Sequence, residues 1–247
     1  FIFEVIQKNI KMKGKVAFIT GGSKGIGYGI AESLAQEGVH SVLTSRSQSS
    51  ADQAAKAISE KYKVKCLGIE ADVRDYKAVK SAVDHAKDTF GQIDYVIANA
   101  GLGHFGSIED LKVEQWQEVI DTNLSGVFYT IKSSVEALKK TKGYFISISS
   151  LAGENFFAGG SAYNASKFGV TGFTQAVMLD LRQKGVNVST IMPGSVSTYF
   201  NGNEPDQSDA WKIQIEDLGE IVVDLFKLNP RTLPSKIEVR PSQPPKK

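Results

Sequence analysis

The stretch that decides the fold is KVAFITGGSKGIG, residues 15–27. Residues 16–20 form a short apolar run with β-branched side chains, as in a buried strand. Ile26, Ile30 and Leu34 then recur at helical spacing. The glycine-rich segment between them therefore predicts a turn that joins a buried strand to an amphipathic helix.

The glycines of this turn favour a phosphate-binding site. Gly21, Gly25 and Gly27 permit a tight turn and a close approach of the backbone to a ligand. The start of the helix offers free N–H groups and the positive end of its dipole to a pyrophosphate. The spacing Gly-x-x-x-Gly-x-Gly differs from the general dinucleotide fingerprint. An ordinary loop remains the alternative for a glycine-rich turn taken alone.

A second stretch, SLAGENFFAGGSAYNASK at residues 150–167, carries proton-transfer chemistry. If a helix opens near Ser161, Tyr163 and Lys167 stand at i and i+4 on one face. A neighbouring ammonium stabilises a phenolate and lowers a phenol pKa from its usual value of about 10. The pair therefore indicates a catalytic acid, and an ordinary amphipathic helix pair is the alternative.

Strand-like and helical patterns alternate along the chain, which favours a doubly wound parallel α/β sheet of about seven strands with helices on both faces. Strands are predicted at residues 16–20, 41–45, 65–69, 95–98, 144–149, 186–192 and 237–240. Helices are predicted at residues 26–37, 51–62, 76–90, 113–138, 162–183 and 218–228. Ligands bind such sheets beyond the carboxyl ends of the strands.

Length and composition restrict the function classes. The 247 residues suit one domain, placed at residues 12–247, and residues 1–11 are interpreted as an upstream extension or cloning remnant that makes a poor secretory signal. A net charge of +2 gives no support for nucleic-acid binding. No apolar run approaches the roughly 20 residues that span a bilayer. The lone Cys66 fits a reducing, cytoplasmic compartment, and the three histidines have no metal-ligand spacing.

Taken together, the motifs resemble the short-chain dehydrogenase/reductase family, in particular members similar to 3-oxoacyl-carrier-protein reductases. The resemblance covers residues 13 to about 198 and implies a single Rossmann-type domain. It rests on residues 20–27, 71–73 and 99–101, on Asn123, Ser150, Tyr163 and Lys167, and on residues 193–198.

The resemblance implies the catalytic roles. Tyr163 would protonate a carbonyl oxygen, and Ser150 would hydrogen-bond the same oxygen. Lys167 would lower the Tyr163 pKa and bind the nicotinamide ribose, while Asn123 would hold a water linked to Lys167. Asn123 could instead relieve a helix kink. Ser149 competes with Ser150, and we prefer Ser150 because its distance along the chain from Tyr163 matches the family and strand alternation separates the two serines.

NADP(H) is the expected cofactor. Arg46 follows the second strand, where relatives that prefer NAD have an acidic residue, and Lys24 lies in the glycine turn, so two cations suit a 2'-phosphate. Both could instead be solvated surface charges, and Asp72 could be a helix cap rather than an adenine contact. The resemblance implies cofactor contacts at Gly21, Ser23, Lys24, Gly25, Ile26, Gly27, Arg46, Asp72, Val73, Asn99, Ala100, Gly101, Tyr163, Lys167, Pro193, Gly194, Val196 and Thr198.

The implied function is reduction of a ketone or aldehyde to an alcohol, with a 3-oxoacyl thioester as one candidate substrate. A small diketone, pterin, sugar or steroid-like ketone is the first alternative, and an NADP(H) sensor without turnover is the second. An acyl carrier protein is a candidate partner. It would dock on two basic clusters, at residues 139–142 and 182–184, if these border the active-site edge. Apolar residues in the predicted helices 113–138 and 162–183 favour a homodimer or homotetramer.

Overall fold

Seven short parallel strands form one sheet in the order β3-β2-β1-β4-β5-β6-β7, as the doubly wound prediction requires. The computed structural model describes residues 12–244, so the predicted extension at residues 1–11 lies outside the described residues. The strands are β1 (Val16–Ile19), β2 (His40–Ser45), β3 (Cys66–Glu70), β4 (Tyr95–Ala98), β5 (Tyr144–Ile148), β6 (Asn187–Pro193) and β7 (Lys236–Val239). The helices are α1 (Gly25–Gln36), α2 (Gln48–Tyr62), α3 (Tyr76–Phe90), α4 (Val113–Ile120), α5 (Gly126–Thr141), α6 (Ser161–Arg182) and α7 (Ile215–Lys227).

Alternating side chains of the strands fill two apolar layers. Ile19 and Leu43 pack on one face of the sheet with apolar residues of α1, α2 and α7. Phe18 and Val42 pack on the other face with residues of α3, α5 and α6. Because both faces are covered, β1 and β4 at the centre are almost entirely apolar, which explains why continuous apolar runs marked them in the sequence.

The chain reverses its winding direction at β1. This strand pairs with β2 on one side and with β4 on the other. The connections that leave the carboxyl ends of β1 and β4 therefore run to opposite sides and leave a crevice between them. The glycine turn and residues 99–101 meet at this crevice, as the sequence predicted.

Two helices begin earlier than their apolar pattern suggested. α2 starts at Gln48 because the Ser47 hydroxyl accepts a hydrogen bond from the Ser50 N–H at 3.4 Å. α7 starts at Ile215 because the Asp217 carboxylate accepts one from the Gln214 N–H at 2.8 Å. Polar caps rather than apolar periodicity set both boundaries.

The predicted continuous helix over residues 113–138 is wrong in its middle. A five-residue π-helical segment, Asp121–Ser125, separates α4 from α5. It contains Asn123, whose side-chain amide donates to the Leu102 carbonyl at 2.8 Å and to the Ser166 hydroxyl at 3.0 Å. These tertiary bonds fix the Asn123 side chain within the wider turn, a common arrangement at functional sites.

The suggestion that the two basic clusters border the active-site edge is also wrong. Lys142 precedes β5 and Lys184 precedes β6, so both lie at the amino ends of the strands. The Lys142 ammonium donates to the Lys184 carbonyl at 3.1 Å. The clusters do come together, but at the amino ends of the strands, opposite to the crevice at their carboxyl ends.

Within residues 12–244, no helix is long and apolar enough to cross a bilayer, and no group of His, Cys, Asp or Glu side chains could hold a metal ion. Cys66 is half-buried against the core rather than fully enclosed. Burial raises the pKa of its thiol to about 12. The thiol therefore stays protonated and unreactive near neutral pH.

Substituting Gly29 tests the packing of α1 on α7. A Cβ at Gly29 would lie 2.6 Å from the Ile215 carbonyl oxygen, so Gly29→Ala should lower the free energy of unfolding by about 1–3 kcal/mol. This loss should appear even though alanine favours a helix by about 1 kcal/mol over glycine. Urea unfolding measures the change, and an equal or higher stability would contradict this packing.

Candidate active site

A cleft of about 530 Å³ opens at the carboxyl ends of β1, β4, β5 and β6. Most of the residues predicted to form the site line it. They are Lys24, Gly25, Ile26, Arg46, Asn99, Gly101, Ser150, Tyr163, Lys167, Pro193, Gly194, Val196 and Thr198. The other predicted residues are not among those that line it: Gly21, Ser23, Gly27, Asp72, Val73, Ala100 and Asn123.

The glycine turn is shaped by contacts that a larger residue would prevent. Gly21 and Gly25 have φ values of +62° and +60°. A Cβ at Gly27 would lie 2.6 Å from the Asn99 amide nitrogen and from the Gly21 carbonyl oxygen. Gly21 and Gly27 therefore hold the turn against Asn99, while Gly25 faces the cleft.

The start of α1 fits the phosphates of a dinucleotide. Lys24, Gly25 and Ile26 line the cleft at this helix terminus, and no side chain in the described part of the chain caps it. Its N–H groups are thus available to an anion, and the helix dipole adds a positive potential. Arg46 lines the same cleft, while the hydroxyl of Ser23 donates to that of Ser45 at 3.3 Å.

Asp72 belongs to an ion network next to the cleft that the sequence did not reveal. Arg74 binds the Asp72 carboxylate at 2.6 Å and that of Glu118 at 3.2 Å, and His104 lies 2.8 Å from Glu118. The Arg74 hydrogen bond holds the pKa of Asp72 below its usual value. Val73 packs against Gly126, where a Cβ would lie 2.9 Å away. The expected cofactor contacts of Asp72 and Val73 stay predictions.

Lys167 projects from α6 into the floor of the cleft. Its ammonium donates to the Ile148 carbonyl at 3.0 Å and lies 5.6 Å from the centre of the Tyr163 ring. The side chain is almost completely buried, and this burial lowers the pKa of Lys167 to about 8. Its charge therefore responds to pH near neutrality.

The Tyr163 phenol behaves differently from the sequence-based expectation. Burial raises the pKa of Tyr163, and a hydrogen bond with the Ser150 hydroxyl opposes this rise. Lowering by Lys167 was expected, but removal of the phenol from water dominates in the structure. At neutral pH the phenol keeps its proton, which is the form that a general acid requires.

The two adjacent serines occupy different surroundings. The Ser149 hydroxyl donates to the Lys167 carbonyl at 3.1 Å and lies 2.9 Å from the Thr171 hydroxyl, so it ties β5 to α6. The Ser150 hydroxyl accepts from the Ala152 N–H at 3.1 Å and also contacts Tyr163. This placement supports Ser150 as the residue that would share a carbonyl oxygen with Tyr163.

Asn123 lies behind the cleft. Its side-chain amide oxygen accepts a hydrogen bond from the Leu102 N–H at 2.9 Å, in addition to the two bonds that the side-chain NH₂ group donates. A Cβ at Gly101 would lie 3.3 Å from this oxygen and 3.6 Å from the Lys167 nitrogen. Asn123 therefore positions the loop beside Lys167, and its predicted water contact stays a prediction.

Several lining residues were missed because they follow the last recognised motif. The segment after β6 contributes Tyr199, Phe200, Asn201, Asn203 and Lys212 to the cleft. The ring centre of Phe200 lies 5.7 Å from that of Tyr163. The pair of aromatic residues directly after Thr198 was the available signal.

Comparison with known proteins places this architecture in a family. The family described as short chain dehydrogenase matches residues 15–209. An uncharacterized oxidoreductase of Staphylococcus saprophyticus is 34% identical over 94% of this chain and 99% of its own length. The 3-oxoacyl-[acyl-carrier-protein] reductase FabG of Escherichia coli is 33% identical over 76% of each chain.

A solved structure shares the fold across nearly the whole chain. It is an alcohol dehydrogenase of the archaeon Thermococcus sibiricus, complexed with 5-hydroxy-NADP. It superposes with a TM-score of 0.88 at 30% identity, covering 94% of this chain and 99% of that one. Together with the sequence match, this similarity shows that the chain belongs to the short-chain dehydrogenase family and is an NAD(P)-dependent oxidoreductase.

Proposed function

We propose that this enzyme reduces a ketone or aldehyde to an alcohol with NADPH, and that the reverse oxidation uses the same site. One observation carries the proposal: Ser150, Tyr163 and Lys167 converge in the cleft whose other end is the uncapped start of α1. A proton donor and a dinucleotide-binding terminus thus share one cavity.

In this proposal the Tyr163 hydroxyl protonates the carbonyl oxygen, and the Ser150 hydroxyl hydrogen-bonds the same atom. A bound nicotinamide cofactor would supply the hydride. The raised pKa of Tyr163 keeps the phenol protonated before the reaction. Lys167 then stabilises the developing phenolate, because its ammonium lies 5.6 Å from the ring centre.

The burial of Lys167 supports a catalytic role. Lowering an ammonium pKa from 10.5 to about 8 corresponds to about 3 kcal/mol of lost stability. The single hydrogen bond that this ammonium donates to the Ile148 carbonyl offsets part of this penalty, about 1.5–3 kcal/mol for a bond to a charged group. A purely structural residue here would be apolar. An NADP(H) sensor would likewise have no use for a buried ammonium beside Tyr163.

The cations at the end of the cleft near α1 favour NADPH over NADH. Lys24 and Arg46 both line the cleft, and no Asp or Glu within residues 12–244 does so. A 2'-phosphate would place negative charge beside Arg46, which binds phosphate through a planar fork of donors.

The residues of the cleft indicate less about the identity of the carbonyl substrate than about the cofactor. A 3-oxoacyl thioester is one candidate, because a relative bears the name of a 3-oxoacyl-carrier-protein reductase. An acyl carrier protein would then be the partner, although the basic clusters at Lys142 and Lys184 lie at the opposite edge of the sheet. The small diketone, pterin, sugar and steroid-like ketones remain the alternative substrates.

We further propose a homodimer or homotetramer in the cytoplasm. α5 and α6 expose large apolar side chains, among them Phe128, Phe168 and Leu179. Such residues on the outer face of two adjacent helices are suited to burial in a two-fold interface. The proposed compartment rests on the single, unpaired cysteine.

Replacing Tyr163 tests the proposed acid. Tyr163→Phe keeps the ring but removes the proton donor, so turnover should fall by at least about 100-fold while NADPH binding is retained. Absorbance of NADPH with a panel of carbonyl substrates measures turnover, and fluorescence titration measures binding. Near-normal turnover would remove Tyr163 from the mechanism.

Lys167→Met should stabilise the protein while abolishing activity. The folded-state pKa of Lys167 lies below its unfolded value, so the burial penalty is complete below pH 8. It fades as pH rises towards 10.5. We expect the variant to be about 2 kcal/mol more stable at pH 7 and to lose this advantage at high pH. Urea unfolding at both pH values decides the matter, and a variant less stable at pH 7 would refute it.

Arg46→Asp should shift the preference from NADPH towards NADH, because a carboxylate repels a 2'-phosphate and accepts ribose hydroxyls. The ratio of kcat/KM for the two cofactors is the measurement. Arg182→Asp, at the end of α6, makes the same charge change on another part of the surface and serves as the control. Equal use of both cofactors by the unmodified enzyme would count against the proposal.

A further inference from the structure

Phe105, Phe157 and Phe200 form an aromatic cluster with the phenol ring of Tyr163. The ring centre of Phe105 lies 5.5 Å from that of Tyr163, 6.0 Å from that of Phe157 and 6.4 Å from that of Phe200. Phe105, Tyr163 and Phe200 therefore all contact one another, with ring planes inclined by 57–66°. The Phe105–Phe200 pair is edge-to-face, and the other two pairs are tilted at distances where aromatic rings still attract each other.

Backbone hydrogen bonds hold the segments that carry these rings. The Gly106 N–H donates to the Gly159 carbonyl at 2.8 Å, which joins the loops of Phe105 and Phe157. The Phe200 N–H donates to the Thr198 hydroxyl at 3.3 Å. Three separate segments thus contribute the rings of Phe105, Phe157 and Phe200, which together form an aromatic wall beside Tyr163.

Much of this wall faces solvent. Phe105 is 43% exposed and Phe157 is 48% exposed, although both belong to an aromatic cluster. Leaving apolar surface in water is unfavourable in proportion to its area. A ligand that covers these ring faces would recover that free energy, and the adjacent Tyr163 places such a ligand at the reacting oxygen.

The charged side chains near this wall either lie at the other end of the cleft or already have a partner. Lys24 and Arg46 line the cleft near the start of α1. Lys212 is paired with Asp209. His104, next to Phe105 in the chain, is held by Glu118 at 2.8 Å. Lys212 lines the cleft as well, but its charge is balanced by Asp209, so the rings beside Tyr163 favour an uncharged ligand body.

We propose that Phe105 and Phe200 are substrate-binding residues that select a compact, apolar ring ketone, such as a cyclohexanone or an aryl ketone. This inference rests on the proposed carbonyl reduction and names its substrate class. The ring of the substrate packs on Phe105 and Phe200, and its carbonyl oxygen points to Tyr163 and Ser150. The rings themselves offer a polar sugar no hydrogen-bonding group, although Asn201 and Asn203 line the cleft beside Phe200.

The test compares ring and polar ketones in matched variants. Cyclohexanone and acetophenone represent the ring class, hydroxyacetone the polar class, and acetoacetyl-N-acetylcysteamine the thioester class. Phe105→Ala and Phe200→Ala remove the wall, whereas Phe105→Leu keeps apolar volume. Phe156→Ala is the control, because Phe156 is 87% exposed on the same loop as Phe157. Thermal unfolding and NADPH titration confirm that each variant folds and binds cofactor.

We expect the two alanine variants to lower kcat/KM for the ring ketones by at least about 10-fold, mainly through KM. Hydroxyacetone should be little affected, Phe105→Leu should retain most ring-ketone activity, and Phe156→Ala should match the unmodified enzyme. Equal losses for ring and polar ketones, or a preference for the thioester, would overturn the substrate inference and leave carbonyl reduction intact. Failure of every carbonyl to react would overturn the proposed function itself, and the substrate inference with it.

Discussion

The fold depends on one close contact at the centre of the sheet, where the end of β1 meets the end of β4. The Asn99 amide donates to the carbonyls of Thr20 and Gly21 at 2.9 and 3.0 Å. The Thr20 hydroxyl also accepts a hydrogen bond, from the backbone N–H of Asn99 at 3.0 Å. These bonds satisfy polar groups at the point where the strand order reverses, and they fix the glycine turn that begins α1. The cleft exists because the two strand ends are locked together here.

The second constraint is the cost of keeping polar chemistry in the interior. Lys167 and Tyr163 are both removed from water, and burial moves the pKa of the ammonium down and that of the phenol up. Both shifts favour the uncharged forms, a protonated phenol and a neutral amine, over the charged forms that water stabilises. The surrounding hydroxyls, such as Ser149 on the Lys167 carbonyl, hold α6 in place without adding charge. Of the two groups, the Lys167 ammonium is the one whose burial lowers stability at neutral pH.

The cleft has two chemically different ends. The end near α1 combines a helix terminus with Lys24 and Arg46, which suits phosphate. At the end near Tyr163, Phe200 lines the cleft and Phe105 packs against both of these rings, an arrangement that suits an apolar body. In the proposed function, this division would let one cavity hold a charged cofactor and an uncharged substrate in a fixed orientation. The proposal thus assigns cofactor preference and substrate preference to different residues.

The sequence by itself determined the alternation of strands and helices, the glycine turn and the pairing of Tyr163 with Lys167, because these follow from local periodicity and spacing. Only the tertiary structure decided the π-helical segment at Asn123, since its bonds to Leu102 and Ser166 join distant parts of the chain. The same holds for the opposite placement of Lys142, which depends on strand direction, and for the upward shift of the Tyr163 pKa. Burial is a property of the packed molecule, and no spacing along the chain measures it.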